Sequence, residues 1–550
     1  MSSARRDAPA PGSGEPTRHL EVETKLDIDP GAELTDLPRS RAVRSAGMSG
    51  WTDPVTHELD ATYFDTANLD LLGARVTLRR RTGGTDAGWH LKLPAGSGAR
   101  TEIALPLEPV GHPAIVPGPL AALVTGAARG RELQPVARIT NHRTVRRLVD
   151  SDGRELVEIA DDRVTAVALD AAGAPSGSPH DWRELEAELI DGTRDQLAAA
   201  VAGLRKAGAA TASSASKLAR ALAADPEPTR SGTRKKDRSA GAAVLAATRR
   251  LRDTLIAADL TLRSGTVEPP ASMDADTSHP EATGVATARY DSRSTARRIR
   301  AVLTVFAPVF DPEVPPELLD RLRRHGQVLS PGGDLDAVAA RLTTQLAEEP
   351  VGFSGPAISR LDAEVQRRRT VDSRTLREYL DSDGYLELLR DLDGFLRGPD
   401  WSRSGERTAG TVLPAALVAP WARLGRSAES ISHHPDDPQA VHRVRKQAAA
   451  LRYAAEAVAP VLGENTVVFA AAVEELQEVL GEYTDAVTAA AFLAEIARSK
   501  GTSGAAGFIF GRMHAFEQAA AQAALDDFTD AWLRLADGEF FTAVTGEKNS

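Results

Sequence analysis

Charged side chains alternate along several short segments in the first half of the chain, and the segment EVETKL is the clearest of them. In a strand, Glu21, Glu23 and Lys25 point to one face because strand side chains alternate. A solvated outer face would explain one such strand, but the pattern recurs. The recurrences are Arg79 with Arg81, His90 with Lys92, Arg100 with Glu102, and the run Glu184, Glu186 and Glu188.

The signs of these charges are segregated: acids dominate the first and last segments and bases dominate those between them. This distribution suits a closed barrel whose interior holds divalent cations on one wall and phosphate groups on the other. Hard divalent cations prefer carboxylate oxygens, and a triphosphate prefers Arg and Lys. A sandwich with the charges in water stays open, since Leu185, Ala187 and Leu189 could fill its core.

Two segments of the second half carry basic stripes at helical spacing. Arg289, Arg293, Arg297 and Arg300 share one helix face, beside the apolar residues Ile299, Leu303, Phe306 and Phe310. His442, Arg445, Lys446, Arg452 and Tyr453 share an arc of the second segment. A solvated face normally mixes acids with bases, whereas acids are scarce here. An anionic partner is therefore expected: polyphosphate, a nucleic-acid backbone or acidic partners.

The elements that position these residues divide the chain in two. From His19 to about Leu222, short β-rich stretches alternate with Gly, Pro and Asp, which predicts antiparallel β structure. From about Ala242 onward, Ala, Leu and Arg recur at helical periods, which predicts a helical bundle. The two basic helices suggest an internal duplication, and residues 1–17 predict a disordered leader.

Composition narrows the function classes. The formal net charge of −11 argues against a general nucleic-acid or anionic-membrane binder. The absence of cysteine excludes disulfides, thiolate zinc sites and a cysteine nucleophile. No apolar run reaches the ~18 residues of a membrane span, and the N-terminus lacks the apolar core of a signal peptide. We therefore expect a cytoplasmic protein; association with polyphosphate granules is left open.

The first half resembles the CYTH domain of triphosphate tunnel metalloenzymes, whose signature is the ExExK strand. The resemblance runs from about Arg18 to Leu222 through YFDTANLDLLGARVTLRRR, HLKLP, RTEIALPL, EIADDRV, ELEAEL and SASKLARAL, in that order. It implies a tunnel of eight antiparallel strands that processes triphosphates with Mg²⁺ or Mn²⁺. The implied metal ligands are Glu21, Glu23, Asp162, Glu184 and Glu186. The implied phosphate-binding residues are Lys25, Arg79, Arg81, Lys92, Arg143 and Lys217, with Arg100 and Arg138 as weaker matches.

The second half resembles the CHAD domain, a helical module often found after CYTH. The resemblance rests on YDSRSTARRIR, the segment Gly332 to Ala337, HRVRKQAAALRYAAE and LQEVLGEYTDAV. It implies polyphosphate binding by Arg293, Arg297, Arg298, His442, Arg445, Lys446 and Arg452, and the arginine stripe adds Arg289 and Arg300 to the expected polyphosphate-binding residues. Tyr290 replaces a common histidine, and Ala449 and Ala450 replace common basic residues, which points to a lowered affinity or a changed ligand.

Together these features predict an α+β multidomain chain with a CYTH tunnel at 18–222, a linker at 223–240 and a two-repeat, all-α CHAD domain at 241–545. The expected activity is hydrolysis of inorganic triphosphate by a metal-activated water, with no side-chain nucleophile. Two alternatives remain: a non-catalytic polyphosphate-binding or granule-associated protein, and a tunnel acting on thiamine triphosphate or ATP, including an adenylate cyclase. No specific nucleic acid and no membrane are expected as partners.

Overall fold

The computed structural model describes residues 16–34, 37–95, 99–107, 115–222, 238–265, 284–348, 351–433, 437–537 and 539–546. Almost all of the predicted leader and linker lies outside these ranges. The chain divides into two compact units, residues 1–231 with 263–280 and residues 232–262 with 281–550. Each unit is described by itself.

The first unit is built on one antiparallel sheet whose long strands close into a barrel. The strands are β1 (Thr17–Asp27), β2 (Gly50–Trp51), β3 (Val55–Asp65), β4 (Thr77–Thr82), β5 (Gly88–Pro94), β6 (Ala99–Pro106), β7 (Gln134–Val149), β8 (Glu155–Leu169), β9 (Pro175–Leu189) and β10 (Ala210–Thr211). Eight of them follow the order β1-β6-β5-β4-β3-β7-β8-β9, and β9 pairs back onto β1. The two-residue strands β2 and β10 extend β7 and β1.

Short helices pack around and inside the barrel. They are α1 (Arg41–Ser45), α2 (Asp70–Gly73), α3 (Gly118–Val124), α4 (Arg194–Lys206) and α5 (Lys217–Ala221), with a 3-10 turn at Leu37–Arg39. Outward-facing Leu26 and Leu185 pack against Val43 of α1 and Leu204 of α4, which buries this part of the outer face. A capping box at Thr193 fixes the start of α4.

An apolar plug fills one part of the lumen. Tyr63, Ile139 and Trp182 share the inward faces of their strands with the charged residues and pack against Leu218 of α5. Ser216 caps α5 by accepting a hydrogen bond from the backbone N–H of Ala219, at 3.1 Å. Because Lys217 is the first residue of α5, the plug and its cap fix the place where this lysine enters the charged part of the lumen.

The turn after β3 is held by a buried carboxylate. Asp65 accepts backbone hydrogen bonds from Thr66, Leu71 and Leu72 at 2.6 to 2.8 Å, which closes the chain into α2. Burial nevertheless raises the pKa of Asp65 to about 6, against the effect of these donors. The Asp-Thr turn in the sequence is therefore a structural device that leads β3 into β4.

The second unit is helical. Its helices are α6 (Ala240–Ser264), α7 (Gly284–Val305), α8 (Pro316–Glu348), α9 (Val351–Leu380), α10 (Asp383–Leu396), α11 (Arg403–Glu406), α12 (Ala409–His433), α13 (Pro438–Leu462), α14 (Glu464–Arg498), α15 (Gly504–Asp537) and α16 (Phe540–Thr545). A 3-10 turn at Ala307–Val309 precedes β11 (Phe310–Asp311), which pairs with β12 (Asp400–Trp401). One core cluster joins α8, α9, α14 and α15 around residues such as Leu342, Leu361, Leu493 and Phe510.

The segment Gly332 to Ala337 lies within α8 and receives two arginines of α7. The Arg289 guanidinium lies against Gly332 on its way to Asp372 of α9, in the space that a Cβ at Gly332 would occupy. Arg293 donates to Asp334, with 2.7 Å between nitrogen and oxygen. The glycine at 332 therefore leaves room for the ion pair between Arg289 and Asp372.

The predicted fold class is confirmed: an eight-stranded antiparallel barrel is followed by a helical region. One local prediction was wrong, because the helix expected to continue to Phe310 ends at Val305. Phe306 and Phe310 are still buried, at the chain reversal into β11. Within the described parts of the chain, no helix is both long and apolar enough to cross a membrane.

Candidate functional site

Three carboxylates form an acidic wall in the barrel lumen. Asp162 of β8 lies opposite Glu184 of β9, and Glu186 is the next inward residue of β9. One oxygen from each lies within 4.8 Å of the others. Lys217 contacts all three, with its Nζ 2.8 Å from Asp162, 2.7 Å from Glu184 and 2.8 Å from Glu186. The structure thus brings three predicted metal ligands together around one predicted phosphate-binding lysine.

Two further cations neutralise this wall. Arg143 forms a bidentate pair with Asp162, with both N···O distances 2.7 Å, and also contacts Glu186. Lys25 contacts Glu186 and lies 3.2 Å from Glu23. Burial alone would raise the pKa of Asp162, but Lys217 and Arg143 outweigh it and lower that pKa to about 2. Asp162 is therefore ionised at neutral pH.

Arg79 and Arg81 face the lumen from β4, and they differ in their partners. Arg81 pairs with Asp86 of the following hairpin. Arg79 donates to the Tyr63 hydroxyl at 3.3 Å, its buried Nε has no hydrogen-bond partner, and no ion pair to it occurs among the described residues. Burial and the neighbouring Arg79 lower the pKa of Arg81 to about 10. Arg79 is consequently able to contact an anion without first leaving an acidic partner.

A second group of charges joins β1, β5 and β6. Glu102 accepts from His90 Nδ1 at 2.9 Å and from His19 Nε2 at 3.0 Å, while Lys92 contacts Glu21. Hydrogen bonding to Glu102 and then to Glu21 raises the pKa of His19 to about 10. Three members of this group, His19, His90 and Glu102, had no assigned role in the sequence analysis. The alternation that predicted Glu21 and Lys92 also places His90 and Glu102 inward.

Glu23 and Arg100 line the lumen beside Lys25, around a cavity of about 390 Å³ that the loop Ala212 to Ala215 borders. Glu188 pairs in register with Glu23 and Glu158. Burial, followed by repulsion from Glu21, raises the pKa of Glu188 to about 7. Glu188 therefore titrates at a higher pH than Asp162 of the acidic wall. Alternation in the sequence does not predict this difference in pKa.

Arg138 is the one predicted tunnel residue that the structure places elsewhere. It lies on β7 five residues before Arg143, so it points to the opposite face of the sheet. There it is exposed, and two nitrogens of its guanidinium contact the Asp60 carboxylate, with 3.0 Å between Nε and Oδ1. Because Arg138 faces outward, it does not contact phosphate in the lumen, contrary to the prediction. The other predicted tunnel residues all face the lumen.

The donor set of the acidic wall fits a hard divalent cation. Its ligand atoms are carboxylate oxygens alone, the type that Mg²⁺ and Mn²⁺ prefer. They already surround a cationic group, the Lys217 ammonium, at distances below 3 Å. Asp162, Glu184 and Glu186 are thus able to hold such an ion, and Glu21 and Glu23 lie on the neighbouring strand β1.

In the helical unit, a basic cavity of about 350 Å³ lies among α7, α12, α13 and α14. Its cationic lining residues are Arg297, Arg300, Arg423, Arg445 and Lys446, joined by His442. None of the described lining residues is acidic. Burial and repulsion from Lys446, Arg445 and Arg297 lower the pKa of His442. The sequence analysis missed Arg423, which α12 contributes without a basic stripe of the kind that marked α7 and α13.

The remaining predicted polyphosphate-binding residues are held by acids. Arg289 pairs with Asp372 and Arg293 with Asp334, as described above. Arg298 donates to Glu456 at 2.5 Å, and Arg452 contacts Glu474 at 2.6 Å. The basic residues predicted from the sequence therefore fall into two groups: those that line the cavity and those that form ion pairs between helices.

The three departures from the CHAD pattern lie in different surroundings. Tyr290 is 66% exposed and does not line the cavity. Ala449 and Ala450 do line it, so the wall that would carry basic side chains is apolar in this protein.

Comparison with known families identifies both units. The CYTH domain model matches residues 19–222, and the CHAD domain model matches residues 271–494. The chain belongs to the CYTH–CHAD proteins. CYTH domains are metal-dependent tunnel enzymes that bind triphosphate substrates. The CHAD match is shorter at both ends than the predicted 241–545 and excludes α6, α15 and α16.

Several known proteins are similar to this CYTH–CHAD chain. An uncharacterized protein of Mycobacterium tuberculosis, Rv2226, is 34% identical over 514 residues, covering 91% of this chain and 93% of the relative. PptA from Streptomyces chartreusis is 21% identical with a TM-score of 0.43, over 54% of this chain and 99% of its own. The CHAD domain from the plant Ricinus communis is 21% identical with a TM-score of 0.42, over 55% and 96%.

Proposed function

We propose that the CYTH tunnel hydrolyses inorganic triphosphate to pyrophosphate and phosphate with Mg²⁺ or Mn²⁺. The observation that carries this proposal is the acidic wall of Asp162, Glu184 and Glu186 in the same lumen as the Arg79 guanidinium, which lacks an acid partner among the described residues. A bound divalent ion would polarise a phosphoryl oxygen and lower the pKa of a water. No side chain is assigned as nucleophile.

The residues of the chain supply binding and charge. Arg79 offers unpaired donors to phosphate oxygens, and Arg81 lies two residues along the same face. Lys25, Lys217 and Arg143 neutralise the carboxylates of the lumen. When a divalent ion takes over that neutralisation, these cations become available to a polyanionic substrate. The arrangement favours a small molecule that carries several phosphates over one that carries a single phosphate.

The test is phosphate release from tripolyphosphate with each metal, comparing wild type with Glu21→Gln. Loss of a metal-facing carboxylate should lower the rate about a hundredfold or more. Glu58→Gln is the matched control, because Glu58 is exposed on β3 and contacts His142. A panel with thiamine triphosphate and ATP identifies the substrate, and a cyclic nucleotide with pyrophosphate would reveal a cyclase. No turnover of any triphosphate would leave a non-catalytic binding protein.

We further propose that the CHAD domain binds polyphosphate in the basic cavity. Its five cations repel one another because no acid stands among the described lining residues, and a polyanion relieves that repulsion. The paired residues Arg289, Arg293 and Arg452 are assigned to the supporting structure.

Titration of the full chain with long-chain polyphosphate tests this second proposal. Arg445→Ala should weaken binding, whereas Arg443→Ala should not, because Arg443 lies outside the cavity and pairs with Asp437. Affinity should fall steeply with salt. Equal affinity for duplex DNA would indicate a generic cationic surface, and identical affinities of the two variants would place binding elsewhere.

A further inference from the structure

The basic cavity of the CHAD domain has an apolar side that a phosphate chain cannot use. Ala301 and Val305 of α7, Pro420 of α12, and Ala449 and Ala450 of α13 line it together with the cations. Every unit of a linear polyphosphate is charged, so apolar lining gives such a chain no favourable contact. Small-molecule pockets, in contrast, combine an apolar lining with a few polar groups that orient the ligand.

Two glutamines of the cavity lining carry buried acceptors without a partner. Gln447 and Gln477 line it, and the Oε1 atom of each is buried without a hydrogen-bond partner among the described residues. An unpaired buried acceptor is costly, so it calls for a donor. Ionised phosphate has only acceptors. The ligand that satisfies these oxygens therefore carries hydroxyl or amino groups in addition to phosphates.

We propose that this cavity binds a ribonucleoside polyphosphate, with the phosphates on the cations and the nucleoside on the apolar side. The ribose hydroxyls and the base amino group supply the donors for Gln447 and Gln477. The flat faces of the base supply the apolar surface for Ala449, Ala450 and Val305. This inference rests on the proposed polyanion site and narrows its ligand class.

The phosphates and the nucleoside use different lining residues, so they can be tested separately. Gln477→Leu removes an acceptor and leaves every cation in place. Ala450→Lys adds a cation to the apolar side. Ala471→Lys is the matched control, since Ala471 is exposed on α14 and does not line the cavity.

The experiment measures the affinities of the full chain for ATP, tripolyphosphate and long-chain polyphosphate, in EDTA to prevent turnover in the tunnel. Gln477→Leu should weaken ATP binding about three- to tenfold, the effect of one lost hydrogen bond, and leave tripolyphosphate unchanged. Ala450→Lys should weaken ATP but strengthen polyphosphate. Photocrosslinking with 8-azido-ATP, followed by peptide mapping, should label α13 or α14 and separate this site from the tunnel.

The outcomes distinguish the two proposals. Polyphosphate binding that depends on Arg445, with ATP insensitive to both cavity variants and crosslinking confined to the barrel, supports the polyphosphate site and overturns the nucleotide inference. ATP binding that depends on Gln477, without polyphosphate binding, supports the inference and removes polyphosphate as the ligand. If the cavity binds neither ATP nor polyphosphate, both proposals are overturned.

Discussion

The barrel lumen and the helical cavity both gather cations, but they balance them differently. In the lumen nearly every cation contacts a carboxylate, and Lys217 alone contacts three. In the cavity the cations face one another with no acid among the lining residues that the structure describes, and burial together with their repulsion lowers the pKa of His442. The lumen is therefore a neutralised site in which ligands replace internal partners, whereas the cavity is a repulsive site that any polyanion stabilises.

The largest effect that would test this contrast is expected at Arg79, a lumen cation without an acid partner among the described residues. Arg79→Ala removes the unpaired guanidinium, so triphosphate turnover should fall about a thousandfold or more, as for other arginines that stabilise phosphoryl transfer. The unfolding of the barrel should stay cooperative because no carboxylate loses its partner. Steady-state kinetics and thermal melts measure both, with outward-facing Arg80→Ala as control. A collapsed barrel would mean that Arg79 is structural.

Lys217→Met should mainly affect stability. It leaves Asp162, Glu184 and Glu186 with less compensation in a buried place, and breaking a buried ion pair costs about 3 kcal/mol of unfolding free energy. Mg²⁺ or Mn²⁺ should restore part of this loss by replacing the ammonium. Urea denaturation of the barrel with and without metal is the measurement, and exposed Lys206→Met on α4 is the control. Unchanged stability without metal would show that the wall does not need this cation.

In the helical cavity, we expect the loss of a cation to lower ligand affinity and not stability, the opposite of the result expected for Lys217. Arg297→Ala should weaken polyphosphate binding and lower the salt dependence by about one counterion, without destabilising the free protein. Arg293→Ala removes the partner of Asp334 and should change stability more than affinity. Binding at several salt concentrations and melts of both variants decide the matter. If the two variants behave alike, the division between paired and unpaired arginines is wrong.

The smallest effect is expected from His442. Burial and the cations of α7 and α13 lower its pKa from the ordinary 6.5, so the ring is neutral at pH 7. Arg423 of α12 faces the same cavity. A bound polyanion favours the protonated ring, so affinity should rise as pH falls below about 6.5, by no more than about tenfold for each unit of pKa shift. His442→Gln should remove this dependence. An identical pH profile in the variant would assign it to another group.

Side-chain parity explains how much of the site could be predicted from the sequence. Alternation placed Glu21, Glu23 and Lys25 on one face, and all three line the lumen. The same rule excludes Arg138 from the lumen, because it is five residues from inward-facing Arg143 on β7. The family resemblance matched Arg138 by residue type alone and did not take this parity into account. Alternation does not predict the lengths of β7 to β9, which are 16, 15 and 15 residues, because pairing with a long neighbour extends a strand beyond its apolar pattern.

The acidic partners of the arginines in α7 could not be predicted from the sequence. Arg293 and Arg297 are one helical turn apart and look equivalent in α7, yet the ion pair of Asp334 is with Arg293. Asp334 lies on another helix, and nothing in α7 indicates it. For the same reason the lining of the cavity by Arg423 and Gln477, on two further helices, depends on tertiary packing and not on any local pattern.

The passage of Arg289 over Gly332 also constrains how this protein can change over evolution. A side chain at 332 would push the guanidinium aside and weaken its pair with Asp372, so a substitution there should be better tolerated where Arg289 is absent. Loss of Arg289 alone, in turn, removes the reason for glycine. The residues at positions 289, 332 and 372 are therefore expected to vary together among related proteins.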